Sequence, residues 1–149
     1  KVKRDIMDSR FCTYKRVGYL KSHIANMIGI DFTGIIYASP GVLKHINKRH
    51  GKQFNTKSND TIIMWMRDII EKPDYIGVYT NKRGQTAVQI IKRMYRTILV
   101  GVEIDREKKY IYVATMYPIS EKKINNKLQS GKIIDIREDI EMVESYINV

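Results

Sequence analysis

The stretch between Pro73 and Pro118 constrains the fold more than any other part of the chain, because it has the pattern of consecutive strands. Runs rich in apolar and β-branched residues alternate with short polar turns, one of which contains Gly84. The runs cover residues 75–79, 86–94, 97–104 and 110–117. Turns this short join antiparallel neighbours, since a parallel crossover needs about a dozen residues or more. We therefore predict a four-stranded antiparallel meander.

Helices are predicted on both sides of this meander. Apolar residues recur at helical spacing, Ser39 and Ser120 are suited to cap a helix, and Pro40 suits a first helical turn. The predicted helices cover residues 14–28, 40–50, 61–71 and 120–129, and a short buried strand covers residues 34–38. With helices first and strands later, we predict an α+β domain whose N-terminal helices pack on the meander.

The length of the chain fits one domain. Of its 149 residues 43% are hydrophobic, which indicates a packed core. We predict a flexible lead-in at residues 1–13 and a single domain at 14–149, with an acidic segment at 131–149 and a last helix at 135–147. The chain begins with a lysine rather than methionine, which we interpret as a piece cut from a longer protein. No apolar run approaches the ~20 residues that span a membrane, so no membrane partner is expected.

The charge balance indicates an anionic partner. The chain has 27 Lys and Arg against 16 Asp and Glu, a net charge of +11. Nucleic acid is the commonest partner of such a protein, although a lysine-rich composition from an AT-rich genome gives the same balance. The single cysteine, Cys12, excludes an internal disulfide and a thiolate zinc cluster. The strand region offers mainly Glu103 and Asp105 as carboxylates, with Glu103 expected on an exposed strand face. We therefore predict no cofactor and no metal site.

Two histidines and the end of the fourth strand form a candidate ribonuclease site. His45 and His50 lie on one predicted helix, where imidazoles can give and take protons near neutral pH. His50 falls in the apolar stripe of that helix and points towards the sheet, although a half-buried structural histidine at a helix end would look the same. Thr115 and Tyr117 are two residues apart on a strand, so they share one face, together with Val113.

Basic side chains are grouped near these histidines. Lys44, Lys48 and Arg49 surround the same helix end, where they either contact phosphate or form a solvated basic face. Lys92 and Arg93 lie on the second strand of the meander, and Lys92 either neutralises charge at phosphorus or marks the sheet rim. We predict RNA contacts from Lys44, Lys48, Arg49 and Arg93.

Two segments resemble a known group of nucleases. Residues 34–50, with the stretch His-Ile-Asn-Lys-Arg-His, and residues 112–120, with Ala-Thr-Met-Tyr, resemble the phage and bacterial toxin nucleases grouped with barnase, EndoU, certain colicins and RelE. The resemblance covers about residues 14–130. It implies a metal-independent ribonuclease with helices on a four-stranded antiparallel sheet. It also implies the C-terminal toxin domain of a delivered or secreted protein, as in contact-dependent inhibition, which acts in the target-cell cytoplasm and is neutralised by an immunity protein.

The EndoU-like members of this group imply a role for each candidate residue. By that resemblance His45 and His50 are the proton-transfer pair, Lys92 stabilises charge, and Thr115 and Tyr117 position the substrate. EndoU histidines are spaced more widely and lie on separate elements, whereas both histidines here lie on one predicted helix.

These observations together predict an RNA endonuclease toxin domain. One histidine removes the proton from a ribose 2′-hydroxyl that attacks phosphorus, and a second acid, histidine or Tyr117, protonates the departing 5′-oxygen. The products are a 2′,3′-cyclic phosphate and a 5′-hydroxyl, and tRNA is a common target of similar toxins. Lys44 and Lys48 are alternatives to Lys92 as the charge stabiliser. The competing interpretations are a non-catalytic nucleic-acid-binding module and a protein that docks an acidic partner.

Overall fold

The computed structural model describes residues 13–56 and 58–137 of the chain. Within these ranges the chain is α+β, as predicted, with four helices and seven strands. The strands are β1 (Lys15–Leu20), β2 (Gly34–Ala38), β3 (Tyr75–Thr80), β4 (Thr86–Arg93), β5 (Thr97–Asp105), β6 (Tyr110–Pro118) and β7 (Ile134–Asp135). The helices are α1 (Ser22–Met27), α2 (Pro40–His50), α3 (Asn59–Glu71) and α4 (Glu121–Gln129).

All seven strands belong to one sheet, in the order β1-β2-β6-β5-β4-β3-β7. Strands β3 to β6 are consecutive antiparallel neighbours, and β2 joins their edge as a parallel partner of β6. The prediction of a four-stranded sheet is therefore wrong in strand number. It missed β1 and β7, and it did not pair the short strand β2 with the meander.

The predicted first helix, residues 14–28, is wrong because its first half is strand β1. Arg16 pairs with Tyr37 and Gly18 with Ile36, so Val17 is an extra residue in a β-bulge. Val17 and Leu20 are both buried although they are three residues apart. A bulge in a strand thus reproduces the apolar spacing of a helix, and only the short helix α1 follows it.

The two faces of the sheet are covered differently. One face, which we call the helical face, packs against α1, α2 and α3 in the main core. The central strand β5 is buried from Ile98 to Ile104, and Val100 and Val102 point into this core. The opposite side, which we call the open face, has a smaller apolar cluster at one end. Its members are Tyr75, Ile91, Leu99, Ile119, Ile124 and Ile133.

Helix α4 and the segment after it cover this end of the open face. Ser120 caps α4 by accepting a hydrogen bond from the backbone N–H of Lys123, and Ile124 is fully buried against the sheet. The chain then crosses β3 at Gly77, where a Cβ atom would lie 2.0 Å from the carbonyl oxygen of Lys132. Only glycine allows the chain to pass this close before it pairs with β3 as β7.

Helix α2 forms where it was predicted, for the predicted reason. Ser39 accepts a hydrogen bond from the backbone N–H of Val42, and Pro40 occupies the first turn. Leu43 and Ile46 are buried against the sheet. No helix in the described ranges is long and apolar enough to cross a membrane. Residues 1–12 of the predicted lead-in lie outside the described residues. Residues 138–147 of the predicted last helix also lie outside them.

We expect Gly77→Ala to lower the free energy of unfolding by about 1–3 kcal/mol, because the new methyl group overlaps the backbone at Lys132. Urea unfolding followed by circular dichroism measures this loss. Gly41→Ala is the matched control, since its Cβ would meet nothing nearer than the Ser39 hydroxyl at 3.8 Å. Equal stability of the two variants would show that the crossing segment does not hold its place over β3.

Candidate active site

A bulge in β6 turns Thr115 and Tyr117 towards the open face. Thr115 pairs with Gly101, and the register shifts at the next pair, so Ala114 is an extra residue. Val113 remains in the core on the helical face. The prediction that Thr115 and Tyr117 share a face agrees with the structure, but the prediction that Val113 shares it with them is wrong. The bulge accounts for both results, because it reverses the alternation of the strand after Val113.

A cavity of about 390 Å³ opens on this side of the sheet. Its lining consists of Val78, Tyr79, Gln89, Leu99, Thr115, Tyr117, Lys127 and Lys132. Gly101 lies next to it, and a Cβ atom there would sit 2.8 Å from Thr115 Cγ2. The polar groups of this lining are hydroxyls, an amide and two amines. Such groups donate hydrogen bonds, and the amines are cationic, so the cavity suits an anionic ligand.

Lys127 brings an unusual amine to the cavity. Its Nζ atom donates a hydrogen bond of 2.6 Å to Oε1 of Gln89, a strand residue that is only 7% exposed. Burial lowers the pKa of Lys127 below its ordinary value, and the charges of Lys132 and Lys123 lower it further. Its partner is a neutral amide rather than a carboxylate. An incoming anion would therefore be the group that compensates its charge.

The two tyrosines of the cavity keep their protons at neutral pH. Burial raises the pKa of Tyr117 above its ordinary value. Burial also raises the pKa of Tyr79, and the charges of Glu103 and Tyr117 raise it further. Both phenol groups are thus hydrogen-bond donors across the physiological pH range.

His50 lies beside Tyr117 at the end of α2. The centroids of the two rings are 6.2 Å apart, and the centroid of the Phe54 ring lies 6.3 Å from that of His50. His50 Nδ1 is 2.5 Å from Oε1 of Gln53. An amide oxygen only accepts, so the proton of this hydrogen bond belongs to Nδ1. In the neutral ring Nε2 is then unprotonated and able to accept a proton.

A basic cleft of about 810 Å³ lies along α2. Lys44, Lys48 and Arg49, three of the predicted RNA contacts, line it together with Lys52. The lining also contains Asn47 and Asn59, whose amides are hydrogen-bonded, and it reaches Gly51, the residue after His50. His45 is exposed on α2 and lines neither this cleft nor the cavity on the open face.

The structure does not bring Lys92 together with Thr115 and Tyr117. Lys92 follows Val88 and Ile90 on the helical face, and its Nζ atom donates a 2.7 Å hydrogen bond to the carbonyl oxygen of Lys72 at the end of α3. It thereby satisfies a carbonyl group that the helix leaves open.

Arg93 lies apart from the basic cleft. Its guanidinium is paired with the carboxylate of Glu121 and donates to the hydroxyl of Tyr75. The hydrogen bond from Arg93 is the main reason why the pKa of Glu121 is below its ordinary value. The predicted RNA contact therefore already has an anionic partner within the protein.

Glu103 is buried on the open face, so the expectation of an exposed strand residue is wrong. It is only 8% exposed and accepts hydrogen bonds from the Tyr112 hydroxyl at 3.2 Å, from Arg83 at 3.3 Å and from the Asn81 amide. These donors replace the water that a carboxylate loses on burial. In the described ranges no group of three or more His, Cys, Asp or Glu side chains is arranged to hold a metal ion.

Comparison with known families identifies the group to which this architecture belongs. Residues 15–126 match the family model described as phage-Barnase-EndoU-ColicinE5/D-RelE like nuclease3, PBECR3. The chain belongs to this nuclease family. No curated protein and no solved structure was found to match it. The predicted membership of the barnase, EndoU, colicin and RelE group is thus confirmed.

Several residues of this nuclease's cavity were missed from the sequence. Tyr79, Gln89 and Lys127 come from β3, β4 and α4, and they meet only because α4 packs on the open face. A polar glutamine between Val88 and Ile90 was the one visible signal, since a buried amide in a central strand needs a partner. Lys127 and Lys132 lie just beyond residue 126, where the family match ends.

We expect Glu103→Ala to lower the free energy of unfolding of this nuclease by about 1–3 kcal/mol, because Tyr112 and Asn81 lose their acceptor. Chemical denaturation measures the loss. Glu107→Ala, at an exposed turn, is the control and should change stability by no more than about 0.5 kcal/mol. A loss no larger than that of the control would mean that Glu103 does not organise the open face.

Proposed function

We propose that the chain is a metal-independent endoribonuclease that cleaves RNA by attack of a ribose 2′-hydroxyl on the adjacent phosphorus. One observation carries the proposal. The cavity on the open face combines two amines with three hydroxyls. The ring of Tyr117, which lines it, lies 6.2 Å from the imidazole of His50. A phosphodiester needs such donors around its oxygens, and the reaction needs a base and an acid on either side of it.

The amines and Thr115 would hold the scissile phosphate. Lys127 and Lys132 would neutralise the charge that grows on the phosphoryl oxygens, which takes over the role predicted for Lys92. Thr115 would donate its hydroxyl to a phosphoryl oxygen. In a partly buried cavity these interactions are stronger than in water.

His50 and Tyr117 would move the protons. Neutral His50 takes the 2′-hydroxyl proton on Nε2 as the 2′-oxygen bonds to phosphorus. Tyr117 gives its proton to the 5′-oxygen as the phosphorus–oxygen bond breaks, which is possible because an alkoxide is a far stronger base than a phenolate. The products are a 2′,3′-cyclic phosphate and a 5′-hydroxyl. His50 then holds one proton more and Tyr117 one fewer, and solvent exchange restores both.

The basic cleft along α2 would bind the RNA backbone next to His50. Lys44, Lys48 and Arg49 supply the charges, and phosphate contacts of this kind favour RNA without reading its sequence. We propose tRNA as the RNA, and an acidic immunity protein as the partner that would cover the same charges. We further propose an EndoU-like toxin domain, carried at the C-terminus of a delivered protein and active in the target-cell cytoplasm.

We expect His50→Ala to slow RNA cleavage in excess EDTA by at least ~100-fold, since it removes the general base. Cleavage of total bacterial RNA, with end-group analysis for the cyclic phosphate, measures the effect. His45→Ala is the matched control from the same helix, and it tests the histidine pair implied by the EndoU resemblance.

The pattern of activities separates the alternatives. Loss in His50→Ala with activity kept in His45→Ala supports the mechanism above, and equal loss in both restores the histidine pair. RNA that is bound in a salt-sensitive way but never cleaved by the wild-type chain indicates a non-catalytic binding module.

We expect cleavage activity to be lost on the alkaline side of its pH profile, at a pH below the ordinary pKa of lysine, because burial lowers the pKa of Lys127. The ammonium form binds phosphate, so activity is present below that pKa and is lost as the pH rises through it. Lys127→Arg keeps its charge and should extend activity to higher pH, whereas Lys127→Met should lose activity at every pH. Lys92→Met is the control, and an unchanged pH profile in Lys127→Arg would contradict this role.

A further inference from the structure

Three tyrosines lie in one row of paired residues across the open face, next to the cavity. The strand register places Arg16 beside Tyr37, Tyr37 beside Tyr112, and Tyr112 beside Glu103. The row continues through Ala87 to Tyr79 on β3. The residues of this row, which we call the tyrosine row, are Arg16, Tyr37, Tyr112, Glu103, Ala87 and Tyr79.

The tyrosine row adjoins the proposed active site. The next row of paired residues on the same face contains Thr115, Gly101 and Gln89, and two of these line the cavity. Successive rows on one face are two residues apart along a strand, roughly 7 Å. Tyr79 belongs both to the tyrosine row and to the cavity lining. An RNA strand bound in the cavity would therefore lie next to the tyrosine row.

The central ring of the row is held in place by its hydroxyl group. Tyr112 donates to Glu103, and Arg83 lies 3.3 Å from that carboxylate and 3.5 Å from the Tyr112 hydroxyl. The Tyr110 ring lies beside it, with centroids 5.2 Å apart. Tyr112 and Tyr37 remain partly exposed, and Tyr79 is 39% exposed. A ring fixed in this way loses little freedom when a base packs on it.

We propose that the tyrosine row binds the unpaired bases of single-stranded RNA next to the scissile phosphate. Every base has a π-face, so stacking on tyrosine tolerates any sequence. Bases paired within a duplex cannot reach the rings, which makes single-stranded segments the substrate class. The guanidinium group of Arg83 lies beside the row, where its charge is opposite to that of the RNA backbone. This inference rests on the proposed nuclease function for the identity of the ligand.

Binding of an RNA that cannot be cleaved tests this inference separately from catalysis. The probe is a fluorescent single-stranded hexanucleotide with 2′-O-methyl riboses, which lack the attacking hydroxyl, and the readout is fluorescence anisotropy at fixed salt. We expect Tyr112→Leu and Tyr37→Leu each to weaken binding by about 5-fold or more, as loss of one base–aromatic stack does. A duplex of the same length should bind the wild-type chain more weakly.

Two control variants separate stacking from other effects. Tyr112→Phe keeps the ring and loses the hydrogen bond to Glu103, so its affinity should lie between that of Tyr112→Leu and that of the wild-type chain. Tyr95→Leu removes a tyrosine that is 73% exposed but lies off the row, between β4 and β5, and it should bind normally. Thermal unfolding of each variant shows that it is folded at the assay temperature.

The outcomes for binding and for cleavage are independent. Tyrosine-dependent binding of the probe supports the tyrosine row even if the chain proves not to cut RNA. Two results would overturn the proposed binding of unpaired bases by the tyrosine row, even if cleavage depends on His50 as proposed. One is unchanged affinity in folded Tyr112→Leu and Tyr37→Leu, and the other is equal affinity of the wild-type chain for the duplex and the single-stranded probe.

Discussion

The pairing of Thr115 with Gly101 is the contact on which the candidate site depends. One extra residue in β6 at this pair lets Val113 and Met116 stay in the core while Thr115 and Tyr117 face the other way. Glycine is required opposite, because a Cβ atom would meet the Thr115 methyl group at 2.8 Å. Bulges re-aim side chains at the cost of a locally disrupted ladder, and here the redirected side chains are those that line the cavity.

β-Bulges also help to explain which parts of the fold were predictable from the sequence. Helix α2 and strands β3 to β6 follow simple rules of period, capping and turn length, and they lie close to their predicted ranges. The bulge at Val17 gives a strand the apolar spacing of a helix, so β1 was predicted as helical. The pairing of β2 with β6 joins residues far apart in sequence, and nothing local in either strand specifies it.

The residues of the candidate site likewise differ in whether local sequence rules could predict them. The shared face of Thr115 and Tyr117 was predictable because alternation holds between them, whereas the bulge at Ala114 breaks the same rule between Val113 and Thr115. Lys92 shares its face with Val88 and Ile90, but the sequence does not tell which face the helices cover. Lys127 reaches the cavity only through the packing of α4 and the crossing at Gly77, which are tertiary contacts with no local signature.

The charge in the cavity is left for a ligand to balance. The guanidinium of Arg93 and the carboxylate of Glu103 already have partners of opposite charge inside the protein, whereas Lys127 is held by the neutral Gln89. The pKa of Lys127 is lowered because burial and the nearby charges of Lys132 and Lys123 disfavour its ammonium form. An anion bound beside it would raise the pKa, and by linkage protonated Lys127 would bind the anion more tightly. Lys127 therefore gains no stability from a salt bridge, and this supports the proposal that the cavity binds a phosphate group.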